Sequence, residues 1–242
     1  MRVALLSDVH ANLQALEAVL AALDEQGKPD ALWVTGDTVG YGGDPSEVIA
    51  SLRARGALLL QGNHDRAVAT GEGLDIFNER AATAAALHAK WLSAEERDFL
   101  GGLPPVTSVE RFTLCHGSLR DPMWEYVTSA SGAAASLARA QTPFACHGHT
   151  HLPALFSGDG GALRAMRPTP DTTYELGATS LVNPGSVGQP RDGDPRAAFA
   201  TLDTAAGSVT FHRATYDVSA AQRRIRARRL PEIFADRLAV GV

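Results

Sequence analysis

The sequence predicts an α/β fold, and three observations carry that reading. Short apolar runs alternate with helix-period segments over the first sixty residues. Each of those runs ends in a polar cluster. The second half holds close-spaced apolar runs separated by turn residues, which reads as hairpin-like strands.

Residues 3–6 are short, apolar and bounded by polar groups, as in a buried strand, and end at Ser7-Asp8-Val9-His10. Beyond Asn12, a candidate N-cap, Leu13, Leu16, Val19, Leu20 and Leu23 recur at helical spacing, and Gly27 supplies a stop. Residues 31–35 form the next strand, ending at Gly36-Asp37. A glycine-rich loop leads to Pro45, a favourable first helical residue, and a helix to about Arg55. Residues 57–60 form the third strand, ending at Gly62-Asn63-His64-Asp65. This β-α-β-α-β order implies a largely parallel sheet, in which functional residues collect on loops at the carboxyl ends of strands. The first three polar clusters fall there.

Residues 66–103 are rich in Ala, Glu and Arg and read as a helical insertion that borders the active site. Strands follow at 106–109 and 112–115, the second ending in His116-Gly117. A helix is expected over 131–140. A strand over 144–146 ends at Gly148-His149-Thr150-His151, and the chain continues extended to Phe156. Further strands are expected at 180–182, 197–202 and 208–212, then a helix over 218–238 broken near Pro231. The hairpin-like spacing predicts a second sheet with more antiparallel character. With no repeat or linker, the chain reads as one domain over 1–242.

Composition narrows the function classes. The apolar fraction of 45% and charged fraction of 20% are those of an ordinary soluble protein. A net charge of −5 gives no reason to expect stable nucleic-acid binding, but leaves room for an anionic substrate at a cation-bearing site. The basic run Arg223-Arg224-Ile225-Arg226-Ala227-Arg228-Arg229 lacks interleaved aromatics and reads as a solvated helix face. Two cysteines, Cys115 and Cys146, are too few for a disulfide framework and fit a reducing cytoplasm. No signal peptide is read at the start, and no run approaches the roughly 20 apolar residues of a membrane span.

The clusters carry the chemistry. Asp8 and His10, two apart on an extended chain, would face opposite ways unless the backbone turns just after the strand. The carbonyl oxygen of Asn63 can ligate a metal, and Gly62 permits close backbone approach. Two imidazoles, His149 and His151, suit two neighbouring cations, with Asp37 as the natural bridge. The oxygen and nitrogen donors, with no thiolate, suit two divalent ions: Mn, Fe, Co, Ni or Zn. Two such ions about 3.5–4 Å apart can hold a hydroxide and clamp a phosphoryl group for in-line attack.

Asp8-Val9-His10, Gly36-Asp37, Gly62-Asn63-His64-Asp65, His116-Gly117 and Gly148-His149-Thr150-His151 resemble, in order, the five-part pattern of the calcineurin-like metallophosphoesterase superfamily. The stretch from Asn183 to Asp194 and the ending Tyr216-Asp217-Val218 resemble its bacterial and archaeal small-phosphodiesterase branch. The resemblance implies a four-layer α/β/β/α sandwich of two mixed sheets flanked by helices, with a dinuclear centre at the strand ends. It implies that Asp8, His10, Asp37 and His151 hold one metal and that Asp37, Asn63, His116 and His149 hold the other. It further implies a catalytic, non-ligand His64 that stabilises the transition state or protonates the leaving oxygen. Protein serine/threonine phosphatases of the superfamily carry an Arg soon after the Gly-Asp motif. Here Thr38-Val39-Gly40-Tyr41-Gly42 has none, and Arg191 is the candidate replacement.

The implied activity is hydrolysis of a phosphodiester or nucleotide-type ester or anhydride, dinucleoside polyphosphates included. A phosphomonoesterase and a non-catalytic scaffold of the same fold are the alternatives. Asn12, Tyr41 and Arg191 are candidate substrate contacts, with a salt bridge to Asp192 or Asp194 as the plainer role for Arg191. Asp65 is expected to cap or orient. His147 is expected to turn away from the site, and His88 and His212 to be ordinary surface or helix residues.

Overall fold

The first three strands run parallel, as their alternation with helices requires. In the computed structural model, which describes residues 1–242, β1 (Arg2–Leu6) pairs with β2 (Ala31–Val34), and β2 with β3 (Leu58–Leu59). The crossovers are α1 (Leu13–Glu25) and α2 (Pro45–Ala54). Three helices then pack beside them: α3 (Asn63–Thr70), α4 (Glu79–Trp91) and α5 (Ala94–Gly101). The third polar cluster is therefore the first turn of α3.

The chain continues through β4 (Val106–Val109), β5 (Phe112–Cys115), α6 (Ala130–Leu137), β6 (Phe144–Cys146) and β7 (Ala154–Gly158). Five strands follow: β8 (Arg164–Met166), β9 (Thr172–Glu175), β10 (Thr179–Asn183), β11 (Ala197–Asp203) and β12 (Ser208–Ala214). Helices α7 (Val218–Ala227) and α8 (Ile233–Asp236) and a 3₁₀ turn (Arg237–Ala239) close the chain.

Two six-stranded sheets result, ordered β3-β2-β1-β11-β12-β9 and β4-β5-β6-β10-β7-β8. Both are mixed, as expected. The expected distribution of strands needs correction. The hairpin β11–β12 joins the first sheet, with β11 antiparallel to β1. Each sheet carries two parallel and three antiparallel pairings, so the second is no more antiparallel than the first. Strands β8 and β9 had no sequence counterpart.

Strand alternation builds the layers. On β1, Ala4 and Leu6 face Leu16, Val19 and Val48 of the first two helices, while Val3 and Leu5 face Phe112, Leu114 and Val182 of the second sheet. Trp33 and Phe112, both essentially inaccessible, meet edge-on between the sheets at 5.6 Å. Burying each large apolar side chain there contributes about 2–3 kcal/mol. Helix α6 covers the far face of the second sheet through Ala133, against Ala145, Phe156 and Leu181. The order helix, sheet, sheet, helix is the four-layer sandwich. No helix is long and apolar enough to cross a membrane.

Candidate metal centre

The parallel strands of the first sheet and β5–β6 of the second release their chains at one end of the sandwich, and the polar clusters meet there. Strand β1 stops at Leu6, and the backbone then enters the left-handed region: Asp8 at φ 52°, His10 at 49° and Ala11 at 50°. Asp37 (53°), His149 (65°) and His151 (58°) adopt the same conformation. Side chains with a Cβ rarely adopt it, and each such residue costs of order 1–3 kcal/mol. This is the turn that Asp8 and His10 need to present both side chains to one point. Backbone bonds hold it, from Asp8 N–H to Gly36 O (3.1 Å) and from His10 N–H to Asp37 O (2.9 Å).

Two glycines allow the close approach of these loops. A Cβ on Gly62 would run into the carboxylate of Asp37, and one on Gly148 into Ser7 and the Asp8 carboxylate. The released backbone N–H groups bind the same carboxylates. His64 N–H donates to Asp37 Oδ1 (2.9 Å) and His149 N–H to Asp8 Oδ2 (3.0 Å).

Each imidazole is oriented by one ring nitrogen. Nδ1 of His10, His116 and His151 bonds Val39 O (2.9 Å), Thr35 O (2.9 Å) and Gln189 O (2.6 Å). Nε2 of His149 bonds Trp124 O at 3.2 Å. A carbonyl only accepts, so these nitrogens carry the protons and the other four turn lone pairs inward. They meet at short range: His10 Nε2 to His151 Nε2 at 3.1 Å, and His116 Nε2 to His149 Nδ1 and to Asn63 Oδ1, both at 3.0 Å. Lone pairs do not bond one another; a shared cation or proton reconciles them.

Asp37 stands between the two pairs, its Oδ2 lying 3.6 Å from His10 Nε2 and 3.3 Å from His116 Nε2. Asp8 Oδ1 lies 3.3 Å from His151 Nε2 and has no hydrogen-bond partner, although wholly buried. Three ligand groups result, Asp8–His10–His151, His10–Asp37–His64 and Asp37–His116–His149. The donor set thus fits metal ions.

Electrostatics agree. Burial alone would raise Asp37, but His116 and His64 beside it hold it well below the usual carboxylate range. Burial pushes His149 down to about 3 and His10 well below its ordinary value, which keeps both as neutral donors. His116 is the exception. Burial opposes its charge, yet Asp37 holds it up at about 9, so a proton can occupy the place a cation would take.

A cavity of about 210 Å³ opens over the cluster, lined by Asp37, Asn63, His64, His149 and His151 and walled by Tyr41, Phe77, Trp124 and Tyr126. Arg191 also lines it. Asp192 is taken by Arg213 and Arg167, and Asp194 by Arg196, so the salt bridge considered for Arg191 does not form. Tyr41 packs on His64 at 4.4 Å and on His10 at 4.6 Å.

Residues 1–207 match the family model of the calcineurin-like phosphoesterase superfamily domain. The chain belongs to that family. It is similar to a metallophosphoesterase of Sphaerobacter thermophilus, whose crystal structure superposes with a TM-score of 0.90 at 39% identity over 100% of this chain and 99% of that one. It is 33% identical to an uncharacterized protein of Methanocaldococcus jannaschii, over 99% of this chain and 98% of the relative. A symmetrical bis(5'-nucleosyl)-tetraphosphatase of Pectobacterium carotovorum matches at 40% over only 63 residues, 25% of this chain and 22% of that one.

The chain departs from its sequence reading in three places around this centre. Asn12 does not line the cavity. Its Oδ1 caps α1 at Ala15 N–H (3.1 Å) and its amide donates to Gly188 O (2.9 Å), which leaves no group for a substrate. His88 lies on α4 but is fully buried, accepting from Gly40 N–H (3.1 Å) and donating to Gly42 O (2.9 Å), so it fixes the loop that carries Tyr41. Trp124 and Tyr126 went unmarked although Tyr126 stacks on His149 at 4.0 Å. Their only signal was a pair of aromatics in the loop after His116-Gly117.

Other residues keep plain roles. Asp65 accepts from Gly62 N–H (3.0 Å) and Val39 N–H (3.1 Å), joining the α3 cap to the Asp37 loop. His147 is buried and belongs to none of the three ligand groups. Cys115 and Cys146 are free and buried.

Proposed function

We propose that the chain is a dinuclear metal-dependent phosphoesterase that cleaves a phosphodiester or nucleotide-type ester or anhydride. Asp8, His10, Asp37 and His151 would hold one cation, and Asp37, Asn63, His116 and His149 the other. The observation that carries this is Asp37 Oδ2, one buried carboxylate oxygen placed between His10 Nε2 and His116 Nε2. When bound, the cations supply Lewis-acid charge for a phosphoryl group and lower the pKa of water.

The chain's own groups do the rest. The carbonyls of Val39, Thr35, Gln189 and Trp124 orient the four imidazoles before substrate arrives. His64 lines the cavity, and burial pushes it down to about 4. There it would stabilise charge on the phosphoryl oxygens or hand a proton to the leaving oxygen. Arg191 supplies a fixed positive charge and Tyr41 an apolar wall.

The aromatic walls favour an ester with a flat or bulky group on the phosphate over a bare monoester. Partial similarity to bis(5'-nucleosyl)-tetraphosphatases points the same way. A hydrolysis panel with added Mn²⁺, Fe²⁺, Ni²⁺, Co²⁺ or Zn²⁺ tests the reading, set against a chromogenic monoester, a chromogenic diester and dinucleoside polyphosphates. Faster turnover of the diester or the polyphosphates is expected. Preference for the monoester would reassign the protein as a phosphatase. Full metal content with no turnover of any ester would make it a scaffold.

A further inference from the structure

Two arginines, Arg191 of the cavity lining and Arg237 next to it, have no carboxylate partner. Arg191 donates from Nη2 to Gln189 Oε1 at 3.1 Å, and Arg237 from Nη1 to the same oxygen at 3.4 Å. The Nε–H of each is buried without a hydrogen-bond acceptor. Among the ion pairs of this chain, neither arginine appears. Two guanidinium groups thus converge on one neutral amide oxygen, an arrangement that repels itself unless an anion completes it. Burial and the nearby Arg191 both press the Arg237 charge downward, the mark of an unneutralised pair.

The position is built rather than accidental. Arg237 belongs to the closing 3₁₀ turn, outside the stretch matched by the family model. The chain just past that turn, where Gly241 N–H donates back to Arg237 O at 2.9 Å, is tied to the loop carrying Gln189 and Arg191 by Gly193 N–H donating to Gly241 O at 2.9 Å. Gln222 holds the preceding helix by donating to Ala235 O at 2.9 Å. Arg191 itself lines the metal cavity, with its guanidinium 5.9 Å from the Tyr41 ring. The pair therefore reaches the cavity through Arg191, on its Tyr41 side.

We propose that Arg191 and Arg237, joined through Gln189, form a second anion site that takes a further phosphoryl group of the substrate. The preferred ester would then carry at least two phosphoryl groups, one at the ligand cluster and one on the arginine pair. Guanidinium forks match phosphate oxygens, and each charge-assisted bond lost lowers affinity about tenfold or more. This rests on the phosphoesterase reading for its catalytic consequence, but not for the binding itself.

Two measurements separate the questions. Calorimetry of inorganic pyrophosphate with the EDTA-treated protein reads the anion site without metals or turnover. The wild type is expected to bind, and Arg237→Gln to bind at least tenfold more weakly. Equal binding by both proteins, or none by the wild type, overturns the site even if the enzyme is active. Kinetics on the metal-loaded enzyme then compare the p-nitrophenyl esters of a nucleoside monophosphate and of the same nucleoside's diphosphate. Arg237→Gln should lower kcat/KM at least tenfold more on the diphosphate ester. An equal loss on both would assign Arg237 a structural role. Pyrophosphate binding without turnover of any ester would sink the catalytic reading and leave the anion site standing.

Discussion

His10 and His151 face each other with their Nε2 atoms 3.1 Å apart, while the Nδ1 atom of each is turned to a backbone carbonyl. Neither ring can reorient without leaving a buried N–H unpaired, which costs about 1–3 kcal/mol. The pairing is therefore imposed by the fold before any ion arrives, and it sets the first expectation, that metal content and Asp37 are linked.

Asp37→Asn keeps the shape and the acceptor for His64 N–H but removes the charge between His10 and His116. Both cations should be lost together, with affinity falling by more than about 100-fold, since loss of mere outer-shell partners already costs 10- to 100-fold. Metal analysis by mass spectrometry checks this. Loss of one ion only would show that Asp37 does not bridge.

His64→Asn should lower turnover about 100- to 10,000-fold, the range for a positioned acid or base, with metal content intact. His64 also falls within a possible ligand group with His10 and Asp37. A drop in bound metal would therefore make it a ligand instead. Gly40→Ala offers an independent probe, because a Cβ there would collide with the His64 ring and Gly40 has φ 92°. It should reproduce the kinetic defect without replacing His64 or any candidate ligand.

His88 carries a pH prediction for stability. Burial pushes it down to about 4 from an ordinary 6.5. Between those values the unfolded chain binds a proton that the folded protein refuses, so stability rises with pH. The contribution is complete above about pH 6.5 and is lost as pH falls towards 4. Urea unfolding at pH 7 and pH 5 should show a drop that shrinks by about 2 kcal/mol in His88→Gln. An unchanged pH dependence in the variant would mean that His88 is protonated in the folded protein.

Phe112→Ala should destabilise the protein by about 3–5 kcal/mol, because it opens a cavity against Trp33 between the sheets. Metal content should be kept, since Phe112 lies at the strand end opposite His116. Chemical denaturation with metal analysis of the folded fraction separates the two effects.

The candidate clusters were legible because most of them follow an apolar run, and a strand end is where a parallel sheet exposes functional groups. That logic located the clusters, while the division of their residues into two ligand sets and the separate role of His64 came from the family resemblance; bringing Asp8 and His10 to one point needed the backbone turn that their φ near 50° now shows. Partners across the sheet were less legible. The β11–β12 hairpin is local and could be read, but its docking on β1, Leu5 opposite Ala200, depends on contacts nearly two hundred residues apart. Strands β8 and β9 are edge strands with exposed residues and no apolar alternation, so nothing marked them. Asn12 misled because one residue suited two roles, and the helix cap won.

The left-handed backbone at Asp8, His10, Asp37, His149 and His151 has a consequence for engineering. At each of these positions glycine would be the more comfortable residue, so a selection for thermal resistance alone would drift towards replacing the candidate ligands. On the proposed function, activity and robustness pull in opposite directions at these five residues, and stabilised versions of this protein are best sought by leaving them fixed and altering the surface far from the strand ends.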